Sequence, residues 1–378
     1  MINPKHFYNS LKRLGVSFFT GVPDSLLKDI CAYITDNSTR NEHILAVNEG
    51  GAIGLAVGHH LATNSVPVVY MQNSGIGNTV NPILSLADSD VYSIPMLLVI
   101  GWRGEPSKKD EPQHVKQGKL TLSLLKVMDI DYEVIDGEES EKELEQILSK
   151  LHAIAIEKSK PVALVVKKNT FSSYTSECGA NVNCYNNNRE DAIKKIVDCI
   201  EDKDFIVSTT GMASRELFEY RKTLGQDHSN DFLTVGGMGH ASQIAVGIAL
   251  SSPKKQIICI DGDGAALMHL GALAISGQSN LKNFKHIILN NGAHDSVGGQ
   301  PTVGQEVSLS SIAHACGYNM IEVANNVELT EKIEQLKSID GPAFLEILVD
   351  RGNRADLGRP TSSPVENKSM FMNKLNRG

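Results

Sequence analysis

The sequence predicts an α/β protein made of two duplicated, doubly wound parallel-sheet domains. Three observations predict it. Short β-branched or apolar runs alternate with amphipathic stretches along the whole chain, the pattern of parallel strands covered by helices. The 378 residues are enough for two cores of ordinary size. A segment of the first half also recurs, without a gap, 189 residues later.

The repeat places Glu49-Gly-Gly-Ala-Ile-Gly-Leu-Ala-Val-Gly58 on Met238-Gly-His-Ala-Ser-Gln-Ile-Ala-Val-Gly247. The same register carries Val68-Val-Tyr-Met71 onto Ile257-Ile-Cys-Ile260, and Asn73-Ser-Gly75 onto Gly262-Asp-Gly264. Helix, strand and glycine turn stay in phase, so one supersecondary unit has been used twice. The differences are then informative: Glu49 faces Met238 in the alignment, and Ser74 faces Asp263.

Strands are expected at residues 17–20, 44–47, 67–71, 96–100 and 162–166 in the first half. In the second they are expected at 205–208, 232–235, 256–260, 286–289 and 344–349. Each half closes with an amphipathic helix and a last strand, Lys160-Pro-Val-Ala-Leu-Val-Val166 or Gly341-Pro-Ala-Phe-Leu-Glu-Ile347. Residues 169–188 are rich in Ser, Thr and Asn without periodicity. The expected boundaries are therefore a first domain at 1–170, a linker at 171–190 and a second domain at 191–378.

A net charge of −8 and a pI near 5.9 exclude nucleic acid or an anionic membrane as the principal partner and favour a small molecule. The first residues lack the apolar stretch of a secretory signal, and no apolar run approaches the ~18–20 residues that span a bilayer. A cytoplasmic location is expected. The cysteines, Cys31, Cys178, Cys184, Cys199, Cys259 and Cys316, show no CxxC spacing and read as free thiols.

The run Gln256-Ile-Ile-Cys-Ile-Asp-Gly-Asp-Gly264 reads as a buried strand ending in a glycine-flanked aspartate, followed by a helical pattern over residues 265–276. Glycines let a diphosphate approach backbone N–H groups closely, and Asp263 offers the carboxylate for a counter-cation. Mg²⁺ takes six oxygens, commonly a carboxylate, neutral oxygens, water and phosphate oxygens. A second strand, 25 residues after Gly264, ends in Asn290-Asn-Gly-Ala293. Carboxyl ends of neighbouring parallel strands meet on one edge, so Asp263 and the asparagine pair are expected to converge on one ion.

The Gly-Asp-Gly turn with its distant asparagine pair resembles the thiamine diphosphate-binding motif. The resemblance implies the thiamine diphosphate-binding fold, with a pyrimidine-binding first domain and a diphosphate- and Mg²⁺-binding second domain. It makes Asp263, the Asn291 side chain and the Ala293 carbonyl the metal ligands. It implies Gly237, Gly262, Gly264, Ala265 and His294 around the cofactor, and Met238 as the apolar prop beneath its bent conformation. Glu49, between an expected strand and a helix start, takes the place of the glutamate that hydrogen-bonds the aminopyrimidine and drives ylide formation at C2. That chemistry needs a carboxyl exchanging a proton with a ring nitrogen in a site poor in water. Members build each site between domains of two chains, so a homo-oligomer with active sites between chains is implied.

Gly21-Val-Pro-Asp-Ser25, Gly101-Trp-Arg-Gly-Glu-Pro106, Asp110-Glu-Pro-Gln-His114, His294-Asp-Ser-Val-Gly-Gly-Gln300 and Asp356-Leu-Gly-Arg-Pro360 narrow the resemblance. They are similar to the phosphonopyruvate and sulfopyruvate decarboxylases, two closely related families. The fused chain, with Ser208-Thr-Thr-Gly-Met-Ala-Ser-Arg-Glu-Leu217 opening its second half, looks more like the former. A phosphonate or sulfonate binds best through charge-assisted hydrogen bonds, for which Ser25, Arg103, Lys116, Lys119, Arg354 and Arg359 are the candidates. His114 and His294 are both candidates for the proton donor. A nicotinamide-dependent oxidoreductase is disfavoured, because no strand runs into GxGxxG with an acid about 20 residues on. A regulatory relative that binds cofactor without turnover is disfavoured by Glu49, Asp263 and Asn291 together.

Overall fold

The computed structural model describes residues 1–176, 185, 187–321, 323–324 and 328–377. The chain divides into two units, Met1–Ala180 and Asn181–Gly378. Cys178 and Cys184 lie outside the described residues.

In the first unit the strands are β1 (Phe19–Gly21), β2 (His43–Leu45), β3 (Val68–Gln72), β4 (Met96–Gly101), β5 (Asp131–Ile135) and β6 (Pro161–Val166). All pair in parallel, in the order β2-β1-β3-β4-β6-β5. The central β4 and β6 are apolar throughout because helices cover both faces of the sheet. Leu97 and Val99 enter a core with Phe7, Leu11, Leu144 and Leu148 from helices Pro4–Arg13 and Glu141–Lys158. Met96, Leu98 and Ile100 face the opposite core, with Ala52, Ile53 and Ala56 of helix Glu49–Thr63. Each Leu, Ile, Val, Phe or Met so buried stabilises the sheet by ~1.5–3 kcal/mol. Helix Glu141–Lys158 starts at a Ser140/Glu143 capping box, which satisfies two of its otherwise orphaned N–H groups.

The second unit carries β7 (Phe205–Ser208), β8 (Asp231–Leu233), β9 (Ile257–Gly262), β10 (Phe284–Asn290), a short antiparallel hairpin of β11 (Ala293–His294) and β12 (Gln300–Pro301), then β13 (Asn319–Met320) and β14 (Ala343–Leu348). Its sheet is parallel, in the order β13-β14-β10-β9-β7-β8. With the hairpin set aside and the order read from its other end, the two sheets share one arrangement: second, first, third, fourth, sixth and fifth strand. That common topology is what duplication of a βαβ unit requires.

The hairpin apart, the two strands that hydrophobic patterning does not reveal, β5 and β13, hold the fifth place, at a sheet edge. An edge strand has less to bury: β5 reads Asp-Tyr-Glu-Val-Ile with only its last residue buried, and β13 is two residues long. The helical pattern over 265–276 is two helices, Asp263–Met268 and Gly271–Gly277, because His269 leaves helical geometry at φ −130°, ψ 53°. The described residues on either side of the stretch 171–190 are tied to the unit they adjoin. Phe171 packs edge-on against Phe7, and Tyr174 and Ser176 bond to Asp29 and Asp36 in the first unit. Tyr185 N donates to Asp350, and helix Arg189–Cys199 opens the second unit. No described helix is long and apolar enough to cross a membrane.

Candidate active site

In the first unit the carboxyl ends of β1, β3 and β4 lie side by side, and each continues into a loop with functional side chains. Glu49 is the first residue of helix Glu49–Thr63, whose N-cap, Asn48, accepts the Gly51 N–H at 2.8 Å. Glu49 is only 6% exposed, and its carboxylate accepts from Asn78 Nδ2 at 2.7 Å. Gly75, just beyond β3, lies against it: a Cβ there would stand 2.4 Å from Glu49 Oε1.

The loops after β1 and β4 form a charged cluster. Arg103 Nε and Nη2 grip the Asp110 carboxylate, with Nε at 2.9 Å from Oδ2, while Nη1 donates to Ser25 Oγ at 2.9 Å. These three bonds leave two of the guanidinium's five N–H groups for a ligand. Burial works against the Asp110 charge, but hydrogen bonds from Arg103, Glu111 and Gly104 outweigh it and hold the carboxyl well below its usual value.

Beside this pair, Asp24 is fully buried. Burial pushes it up to about 6, against backbone N–H bonds and the attraction of Arg103. Its Oδ2 accepts from Leu26 N at 2.9 Å, and its Oδ1 has no partner among the described residues. Gly101 makes room for it, since a Cβ there would fall 2.1 Å from Oδ2. His114, in the first turn of helix Pro112–Val127, is buried, and burial lowers it to about 4, with Arg103 acting in the same direction.

The second unit places its motif at the carboxyl ends of the adjacent β9 and β10. Asp263 is 2% exposed, and burial raises it to about 6. Opposing that shift are hydrogen bonds from the Thr302 hydroxyl and from the backbone N–H groups of Gly264 and Asn291. The last of these brings the two strand ends together. Asn291 Oδ1 accepts from Ala293 N at 3.0 Å, and Asn290 donates to Gly304 O and to Glu346, both at 2.7 Å. His294 sits over the glycine turn, where a Cβ on Gly264 would be 2.9 Å from its Cε1, and burial lowers it to about 4. Gly237 and Gly239 both have positive φ, +66° and +84°, and hold Met238, half-buried, between them.

These residues fit thiamine diphosphate with a divalent cation. Asp263 is a buried carboxyl raised by burial, and none of the groups that lower it is a cationic side chain. A hard cation would supply the missing charge. Gly304 and Gly264 let the backbone lie directly against Asp263 and His294, where any side chain would clash, since a Cβ on Gly304 would be 2.5 Å from Asp263 Oδ2.

Of the expected anion-binding residues, Ser25 and Arg103 come together, while Lys116 and Lys119 are exposed on helix Pro112–Val127. Arg354 is already held by Glu190, Glu219 and Asp356, and Arg359 is exposed. Sequence reasoning missed Asp24 and Asp110 although both lie inside the motifs it used. It also missed Thr302, which follows the hairpin, and Gly75 and Gly304, whose roles depend on packing alone.

Residues 4–124 match the N-terminal TPP binding domain of thiamine pyrophosphate enzymes, and residues 209–347 match the C-terminal TPP binding domain. The chain belongs to the thiamine pyrophosphate enzyme family. It is 32% identical to a phosphonopyruvate decarboxylase of Streptomyces viridochromogenes, over 97% of this chain and 93% of that one. The same identity and share of this chain relate it to a phosphonopyruvate decarboxylase of Streptomyces hygroscopicus, of which 92% is covered. It is 27% identical to a sulfopyruvate decarboxylase of Methanosarcina acetivorans, over 99% of this chain and 98% of that one.

Proposed function

We propose that this enzyme decarboxylates 3-phosphonopyruvate to phosphonoacetaldehyde and CO₂, without oxidation, using thiamine diphosphate and Mg²⁺. The observation that carries the proposal is 32% identity, along 97% of the chain, to two phosphonopyruvate decarboxylases. Asp263, the Asn291 amide oxygen and the Ala293 carbonyl hold the metal in this reading, and Gly262, Gly264 and Ala265 offer backbone to the diphosphate. We further assign the active site to the meeting of a first-type unit from one chain and a second-type unit from another, in a cytoplasmic homo-oligomer.

Bound thiamine diphosphate supplies the nucleophile for the 2-oxo carbon and the electron sink for the pair that CO₂ leaves behind. The chain's part is protons, charge and shape. Glu49, buried and pinned by Asn78 and Gly75, presents a carboxyl that moves a proton to and from the aminopyrimidine. Arg103, aimed by Asp110 and Ser25, gives its remaining N–H groups to the phosphonate. His114 or His294 returns a proton to the product carbon. With values near 4 both are neutral at pH 7, so each gains proton-donating strength only beside an anionic ligand that raises it. Exclusion of water favours a step in which charge is dispersed.

Sulfopyruvate is the second reading, favoured by similarity to the Methanosarcina acetivorans enzyme over nearly both whole chains. Measuring CO₂ release from phosphonopyruvate, sulfopyruvate and pyruvate side by side, with cofactor and Mg²⁺ present, separates the two. A higher kcat/KM for either of the others overturns the phosphonate assignment.

A further inference from the structure

Helix Arg189–Cys199 begins with an arginine that is 8% exposed and that the chemistry above does not use. Arg189 grips Glu216 through Nε and Nη2, at 2.8 and 2.9 Å, and turns Nη1 to Asp295 Oδ2 at 2.8 Å. That one oxygen also accepts Gly352 N at 3.1 Å and Asn291 Nδ2 at 2.7 Å. Asp295 thus ties the start of a helix, 106 residues away in sequence, to the asparagine assigned to the metal.

An asparagine side chain has two ends of nearly equal size, of which only the oxygen ligates a cation. Which end faces which way is decided by neighbours. Here the neighbours leave one choice: Nδ2 meets a carboxylate oxygen, which only accepts, and Oδ1 meets the Ala293 N–H, which only donates. Turning the amide over would set each end against its like. The Asp295 carboxylate is itself fixed, by an arginine that Glu216 already neutralises and by backbone at Gly352.

We propose that Asp295, anchored by Arg189, is a positioning residue that fixes the Asn291 amide with its oxygen available to the metal. The proposal rests on the reading of Asn291 as a Mg²⁺ ligand. It differs from a role for Asp295 as mere negative charge near the cation. In Asp295→Asn the side-chain oxygen still accepts from the same three donors, so orientation survives while the charge is lost.

The test is calorimetric titration of thiamine diphosphate, with Mg²⁺, into the full-length wild type and the D263A, D295A and D295N variants. Circular dichroism checks the fold of each. D295A should weaken binding about tenfold or more, and D295N should stay within about threefold of wild type. At saturating cofactor and metal, D295A should recover most of its kcat. Wild-type affinity in D295A, or an equal loss in D295N, overturns the proposal. If D295A does not fold, Asp295→Ser replaces it with the same expectation, its hydroxyl being too short to reach Asn291. Unchanged binding in D263A would instead overturn the metal site itself, so the two failures are distinguishable.

Discussion

Gly75 lies so close to Glu49 that a Cβ on the glycine would stand 2.4 Å from the carboxylate's Oε1. The second unit repeats the device with other residues: a Cβ on Gly304 would fall 2.5 Å from Asp263 Oδ2. Both units thus hold a buried acid against bare backbone, as Gly101 also does for Asp24, and Glu49 and Asp263 are fixed by packing as well as by hydrogen bonds. In the proposed mechanism the acids divide the labour, one moving protons and the other holding charge.

Glu49→Gln keeps the hydrogen-bonding shape of the side chain but cannot exchange a proton. It should bind thiamine diphosphate within about threefold of wild type and lose exchange of the cofactor's C2 proton with D₂O by about 100-fold or more. Gly75→Ala should fall between the two, because its methyl displaces the carboxylate without removing it. NMR of the C2 proton reads both. Wild-type exchange in Glu49→Gln would remove Glu49 from the mechanism.

Asp263→Ala should abolish Mg²⁺-dependent cofactor binding with the sheet intact, since the neighbouring carboxylate, Asp261, lies beside His286 and accepts the Gly262 N–H instead. In the wild type, protons and metal compete for the same group. With Asp263 raised to about 6, affinity should hold at neutral pH and fall about tenfold per unit below that value. Calorimetry at several pH values checks the slope, and a flat profile down to about pH 4 would contradict the assignment.

The central strands were legible because burial on both faces makes them continuous apolar runs, as in β4 and β6. At the edges β2 and β8 were legible too, but β5 and β13 were not, because β5 alternates with polar residues and β13 is too short to carry a pattern. The convergence of Asp263 and Asn291 was legible for a related reason: both sit at fixed offsets from strand ends, and parallel strands place those ends together. Arg103 was one of six anion-binding candidates, and sequence could not rank it. Its rank comes from Asp110 and Ser25, the first close in sequence and the second 78 residues away. Arg189 had no signal at all, because its partners Glu216 and Asp295 meet it only through tertiary packing.

Asp24 yields a stability prediction. Its folded-state value, about 6, stands above the ordinary 3.8 because burial disfavours the charge. The carboxyl therefore favours folding fully below about pH 4, and that contribution is lost as pH rises through about 6, a change of ~3 kcal/mol at most. Asp24→Asn retains an oxygen for the Leu26 N–H and has no proton to lose. The difference in unfolding free energy between variant and wild type should shift toward the variant between about pH 4 and pH 8. Denaturant titration at both values measures it, and a difference independent of pH would show that folding leaves the Asp24 carboxyl at its ordinary value.

Selectivity tests the charged cluster itself. Phosphonopyruvate and pyruvate share the 2-oxo acid that reacts and differ in the phosphonate. A residue that binds the phosphonate must therefore act on one substrate and not the other. Arg103→Met removes the guanidinium while keeping an unbranched side chain, and a charge-assisted hydrogen bond lost in a half-buried site costs ~1.5–3 kcal/mol. The variant should lose about 10- to 100-fold in kcat/KM for phosphonopyruvate, mostly through KM, and change little for pyruvate. Arg103→Lys should recover only part of the loss, since an ammonium cannot keep the two-pronged grip on Asp110 and reach Ser25 together. Equal losses on both substrates would move Arg103 to the carboxylate that they share, and the phosphonate would then need another partner.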